Sequence, residues 1–164
     1  MTSLDQKIEE CESIIDYVFA DRKLCAEALN TYVSCHTIDG SEQFIPRNNR
    51  LALLGDKAMD DLFAFEWYST GMSTGTYTLN RDRILSNHNH DRVGRRFKLE
   101  HCVNLSPGTT SVSTNTMATT IEAILGAVRI DGGEIALAKV SRRLGIMFEA
   151  VTYFHLHDSM NTTI

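Results

Sequence analysis

The chain has 164 residues, 43% hydrophobic and 23% charged, with two prolines and ten glycines. That composition suits one globular domain with a real core and excludes a loop-rich or disordered chain. A net charge of −5 gives no global pull toward nucleic acid, so any such contact needs a local basic patch. The N-terminal stretch MTSLDQKIEECESII is acidic and amphipathic, with Leu4, Ile8, Cys11, Ile14 and Ile15 at helical spacing. It lacks the layout of a signal or transit peptide. Asp21 is placed to cap a second helix through Leu24, Ala28 and Leu29. SCHTIDGSEQFIPRN reads as a polar loop.

The third and longest helical pattern runs from about Asn49 to Tyr68, with Leu51, Leu54, Ala58, Leu62 and Phe65 as its apolar stripe. Gly71 and Gly75 bound a turn, and helical segments follow near 79–87, 89–98, 115–130 and 134–154. Asp131-Gly132-Gly133 reads as a helix stop. Strand alternation is weak throughout, and no apolar run approaches the ~18 residues a membrane span needs. The expectation is an all-α domain over 1–164, intracellular (cytoplasmic or nuclear), with no membrane contact. Cys11, Cys25, Cys35 and Cys102 are irregularly spaced, with no CxxC. Free buried thiols in a reducing compartment are therefore expected.

The stretch NNRLALLGDKAMDD sets a charge, Asp56, into an apolar run. Residues three and four apart share a helix face, so Asn49, Ala52, Asp56 and Asp60 line one side. The later stretch TMATTIEAILGAVRIDGG puts Thr119 and Glu122 on one face, with Ile121, Ile124, Leu125 and Val128 on the apolar side. Gly126 there permits close approach of another backbone. If the two helices meet, Asp56 and Glu122 could come together. Paired carboxylates repel unless one protonates or a cation joins them, and oxygen-only ligands favour Mg²⁺ or Mn²⁺. Spacing alone also allows the plain alternative, in which Asp56 caps, salt-bridges or faces water.

At these residues the chain resembles the ribonuclease III family. NNRLALLGDKAM is similar to its signature, of the form NERLEFLGDAVL, and TMATTIEAILGAVRIDGG to its second motif, of the form ADxxEAxxGAxxxDGG. IIDYVFADRKLCAEALNTYVS and ILSNHNHDRVGRRFKLEHCVNLSPG resemble its opening and its middle helices, so the match runs in order over about 8–150. The resemblance implies a helical nuclease domain acting as a symmetric homodimer on double-stranded RNA. It implies a divalent cation, Mg²⁺ or Mn²⁺, held by four carboxylates. Carried over, the signature pair falls on Ala52 and Asp56, and the second pair on Thr119 and Glu122. Two ligands, Asp56 and Glu122, are kept as the catalytic and metal-binding pair; two are lost. Asn49 stands where a further acidic residue is common. Leu53 falls where the family's signature aromatic enters the partner protomer, which implies a dimer-interface role. The family often carries a separate double-stranded-RNA-binding domain, and none fits in this sequence.

Two readings follow. One is a double-stranded-RNA endoribonuclease with a weakened or altered site. The other is an inactive module of the same fold that binds structured RNA or a ribonucleoprotein partner, with a protein partner supplying RNA affinity. Arg92, Arg95, Arg96 and Lys98 cluster in DRVGRRFKLEH and are the candidate phosphate contacts. A solvated helix face is the alternative for them. His88 with His90, and His155 with His157, form HxH pairs, but residues two apart diverge on a helix and no further ligand spacing completes a zinc site.

Overall fold

The computed structural model describes residues 3–148. Helix α1 (Leu4–Ile15) starts at a reciprocal cap. Ser3 accepts the Gln6 backbone N–H, and the Gln6 side chain accepts that of Ser3. Its buried stripe is Leu4, Ile8, Cys11 and Ile15. Helix α2 (Arg22–Leu29) is capped by Asp21 as its sequence suggests, the carboxylate accepting the Lys23 N–H at 3.0 Å.

The stretch read as a polar loop is instead a hairpin. Strands β1 (Ser34–Ile38) and β2 (Ser41–Ile45) pair antiparallel, from Ser34 opposite Ile45 to Ile38 opposite Ser41. The turn is Asp39-Gly40, both at positive φ (49° and 76°), the backbone a two-residue hairpin turn requires. Only Ile38 and Ile45 of this ribbon are buried, so its alternation is nearly silent in hydropathy. Beneath it lies a polar hub. Buried Asn30 donates to the carbonyls of Tyr32, Ile45 and Pro46, and its Oδ1 accepts from Asn104 at 2.8 Å.

Helix α3 (Asn49–Tyr68) buries Leu51, Ala52, Gly55, Met59, Leu62 and Phe63. Leu54 and Phe65 of the expected stripe are exposed. The core-facing side is therefore turned toward Gly55 and Met59, for a reason given by its partner helix below. Helix α4 (Thr74–Ile84) begins five residues before the expected 79, because Ser73 caps it by accepting the Thr76 N–H. Gly75 thus lies in its first turn. Helix α5 (Asn87–Arg96) and a short 3₁₀ turn at Leu99–His101 follow.

Helix α6 (Thr114–Leu144) is the centre of the molecule. From Met117 to Val128 only Thr119 and Glu122 escape full burial, as expected of a helix wrapped on all sides. The expected stop at Asp131-Gly132-Gly133 is a kink rather than an end. Gly133 alone leaves helical geometry, at φ 76° and ψ −164°, and the helix resumes. Cys11, Cys25 and Cys102 are buried and free as expected, whereas Cys35 on β1 is exposed. Among the described residues no helix is long and apolar enough to cross a membrane. The fold is otherwise helical, as the sequence predicts.

Candidate functional site

The carboxylates are placed by two glycines. A Cβ built on Gly55 of α3 would overlap the backbone oxygen of Glu122, and one on Gly126 of α6 would overlap that of Leu51. The two helices thus cross backbone to backbone, which only residues without a side chain allow. This is why α3 faces the core through Gly55 and not through Leu54. Asp56 follows Gly55 in α3, and Glu122 precedes Gly126 by one turn in α6. Asn48 fixes the start of α3: buried to 2% exposure, it donates to the Ala28 carbonyl at 3.0 Å, and its own N–H reaches Asn30 O at 3.0 Å.

Along the acidic face each residue has a distinct setting. Asp56 is one-third exposed, and the Lys57 ammonium lies 2.8 Å from its Oδ2. That hydrogen bond and the carboxylate charge hold Lys57 above the ordinary lysine range. Asp60 is claimed by α4. Arg81 donates through Nε at 2.7 Å and Nη2 at 3.0 Å, a two-point clamp that tethers α4 to α3. Ala52 is buried at 5% exposure, so the missing carboxylate leaves an apolar contact with the core. Thr119 lines a small cleft with Thr31, Arg47, Asn48, Asn115 and Thr116. Ala52, Asp56 and Glu122 do not line it. Thr120 is turned inward, its hydroxyl donating to Thr116 O at 2.8 Å.

Glu122 faces helix α5, where His90 Nδ1 lies 3.7 Å from its Oε1. His90 is 3% exposed, and both its ring nitrogens lack a hydrogen-bond partner among the described residues. Sequence reasoning weighed this residue only as half of an HxH pair and did not place it beside Glu122. Its signal was a polar side chain where α5 turns Val93 and Gly94 to the core, three and four residues on.

Among the described residues no three His, Cys, Asp or Glu side chains converge as a metal-binding group. What remains is two partly exposed carboxylates on contacting helices. Mg²⁺ is commonly held by one or two carboxylates with water completing its shell, so any cation role here would rest on these two side chains alone.

The arginines of α5 are spread around the helix and partly engaged. Arg92 donates to Asn89 Oδ1 at 2.8 Å. Arg95 pairs with Asp91 at 3.1 Å and donates to Val112 O at 2.6 Å. Arg96 donates to Leu144 O at 2.9 Å and stacks over Phe97, so it closes the C-terminal end of α6. Lys98 is exposed at a left-handed position (φ 59°). His155 and His157 lie outside the described residues.

On the far side of α3, Phe65 (73% exposed) and Ile135 (88%) flank an open groove with Leu62 and Ala138. Leu54 and Ile130 share a second groove. Leu53 is 65% exposed.

Comparison with known proteins adds four findings. The family described as ribonuclease-III-like matches residues 21–146. Ribonuclease 3 of Rhodopirellula baltica is 30% identical over 133 residues, covering 77% of this chain and 47% of that protein. Ribonuclease 3 of Oleidesulfovibrio alaskensis is 31% identical over 137 residues, covering 80% and 58%. The chain therefore spans about half the length of these relatives. A structure of the nuclease domain of ribonuclease III from Campylobacter jejuni, with a region involved in dimer formation, superposes with a TM-score of 0.71. It is 19% identical and covers 86% of this chain and 98% of that one.

Proposed function

The chain belongs to the ribonuclease-III-like family, and on that premise we propose that it is one ribonuclease III-type domain that cleaves double-stranded RNA as a homodimer, with a weakened cation site. The observation that carries this is the α3–α6 crossing. Gly55 and Gly126 bring the signature helix and the second-motif helix into backbone contact, and each helix keeps one carboxylate beside it. In this reading Asp56 and Glu122 hold the Mg²⁺ or Mn²⁺. When bound, such an ion supplies charge stabilisation and an activated water for phosphodiester hydrolysis.

The chain's own residues supply the rest. Lys57, held against Asp56, presents an ammonium at the same edge, where a phosphate can exchange for the carboxylate. Arg92, Arg95 and Lys98 offer exposed cations to a duplex backbone, which dominates such contacts. Arg95 and Arg96 are already engaged, Arg95 by Asp91 and Val112 O and Arg96 by Leu144 O, so a duplex phosphate must compete with those contacts. The exposed apolar residues of the two grooves, Phe65 with Ile135 and Leu54 with Ile130, together with exposed Leu53, are the surface offered to a second copy. Exposed apolar surface can mark an interaction site, and a twofold contact would cover the same residues on both protomers.

A second reading, an inactive module that binds structured RNA or a ribonucleoprotein partner, is favoured by one observation. Ala52 faces the core and Thr119 lines a cleft with Arg47, so half of the acidic set is replaced by apolar and basic surroundings. The test is incubation of purified protein with long duplex RNA in Mg²⁺ or Mn²⁺, beside an Asp56→Asn, Glu122→Gln double variant. Cleavage by the wild type and none by the variant supports the nuclease. Duplex binding without cleavage by either supports the module.

A further inference from the structure

The cleft at Thr119 carries a positive charge and no negative one. It is formed by Thr31 after α2, Arg47 and Asn48 before α3, and Asn115, Thr116 and Thr119 on α6. No Asp or Glu lines it, in a chain whose 21 acidic residues outnumber its 16 lysines and arginines. Its donors are largely uncommitted. Arg47 is exposed, and among the described residues its guanidinium has no hydrogen bond or ion pair. Arg22, Arg81, Arg92, Arg95 and Arg96, by contrast, each hold an oxygen of the chain. The side chains of Asn115 and Thr119 also have no partner there. Asn48 Nδ2 uses one of its two hydrogens on Ala28 O at 3.0 Å. Thr31 and Thr116 are engaged, by Asn104 O and by Ser113.

A cationic set rich in free N–H and O–H groups is complementary to an anion that only accepts. Size and shape narrow the choice. The cleft holds about 120 Å³, well below the roughly 300 Å³ at which ligand pockets begin, so it takes one small group and not a whole nucleotide. A guanidinium fork matches carboxylate and phosphate alike. Here further donors face it from α6, which suits a tetrahedral group with three free oxygens better than a planar carboxylate with two. The starts of α3 and α6 border the cleft, and their partial positive charge adds to that of Arg47. We infer that this cleft is an anion subsite for a phosphate monoester, either the terminal phosphate of a nucleic-acid strand or free phosphate. Arg47 supplies the charge and a two-point contact, and Asn115 and Thr119 supply the facing donors. The inference goes beyond the proposed cation role of Asp56 and Glu122, neither of which lines the cleft. It also gives Thr119 a use, since a carboxylate at that position would repel the anion.

The test is NMR titration of the ¹⁵N-labelled full chain with inorganic phosphate at constant ionic strength. Divalent cations are left out, so the outcome does not depend on Asp56 and Glu122 holding an ion. The expected result is a saturable shift of the Asn48, Asn115, Thr116 and Thr119 amides. Arg47→Gln should weaken phosphate binding about ten-fold or more, the scale of a charge-assisted hydrogen bond. Arg50→Gln removes the same charge outside the cleft and should leave affinity nearly unchanged. Thr119→Asp sets a like charge in the cleft and should abolish binding by an independent route. Short RNA duplexes with and without 5′-phosphates then identify the source. Tighter binding of the phosphorylated duplex, lost in Arg47→Gln, assigns the subsite to strand ends; equal binding of the two duplexes assigns it to free phosphate. Phosphate shifts that miss these amides, equal weakening in Arg47→Gln and Arg50→Gln, or full binding by Thr119→Asp overturns the inference.

Discussion

At the crossing of α3 and α6, Gly55 and Gly126 let backbone meet backbone, and the neighbours Leu51, Ile121 and Leu125 are fully enclosed. One residue away on each helix the setting changes. Asp56 is one-third exposed and paired to a neighbouring lysine, and Glu122 lies 3.7 Å from a buried histidine without a hydrogen bond to it. The crossing is specified by the absence of side chains, and nothing in its packing depends on charge. The carboxylate edge is specified by charge, and two of its four expected members are Ala52 and Thr119. A scaffold held by close backbone packing can therefore persist while the chemistry beside it is thinned.

Four experiments break or sharpen that contrast. The largest effect should come from the crossing itself. Gly126→Ala forces a Cβ onto the Leu51 carbonyl and should cost about 3 kcal/mol or more in urea unfolding, since backbone cannot move aside as a side-chain end can. Tolerance of alanine there would show that the helices are farther apart than described.

Rebuilding the edge should cost less. Ala52→Glu with Thr119→Asp restores four carboxylates at the family spacing. Ala52 is buried, so without metal the double variant should lose about 2 kcal/mol through repulsion and desolvation. Added Mg²⁺ should restore stability to the variant more than to the wild type, because an ion that binds only the folded state stabilises it by mass action. An equal Mg²⁺ response would separate the two helix faces from any common site.

A third experiment uses the kink region of α6. Asp131 loses solvent on folding, which raises its pKa. The backbone N–H groups of Asp21 and Ala20 and the Tyr17 hydroxyl outweigh this and leave it below the ordinary aspartate range. Desolvation and the same carboxylate push the Tyr17 phenol up to about 12. A depressed carboxyl pKa contributes stability above the unfolded value, and that stability is lost as pH falls through the folded value. Asp131→Asn should therefore lower stability by about 1–2 kcal/mol at neutral pH and flatten the acid limb of a stability–pH curve. An unchanged acid limb would remove Asp131 as the anchor between the kink and the start of α2.

The smallest effect separates the arginines. Arg96→Ala should cost about 1 kcal/mol by uncapping α6 and unstacking Phe97. Arg92→Ala with Arg95→Ala should change stability less and lower duplex RNA affinity and its salt slope. Equal loss of RNA affinity in the two variants, measured in a salt titration, would mean that Arg96 leaves Leu144 to meet the duplex.

Much of this was legible in the sequence for physical reasons. The cap at Asp21, the break near Gly133 and the close approach at Gly126 depend on local chemistry, and the motifs carried Asp56 and Glu122 to their helices. The orientation of α3 was not legible. Hydropathy points Leu54 and Phe65 inward, but the partner surface is a backbone, and glycine carries no hydropathic mark of that. The hairpin escaped because its strands bury only Ile38 and Ile45; the Asp39-Gly40 pair was the available signal. His90 was visible only as half of an HxH pair; its burial was not legible, because a buried imidazole three residues before a core valine looks the same in sequence as a solvated one.

The central claim is that Asp56 and Glu122 share one cation site on an intact scaffold. Manganese broadening of backbone amide signals tests it most directly. Substoichiometric Mn²⁺ should first erase the amides of Asp56, Lys57, Glu122 and Ala123, and an Asp56→Asn, Glu122→Gln variant should keep them. Broadening centred elsewhere, such as the acidic run of Glu9, Glu10 and Glu12 on α1, and equal in both proteins, would contradict it.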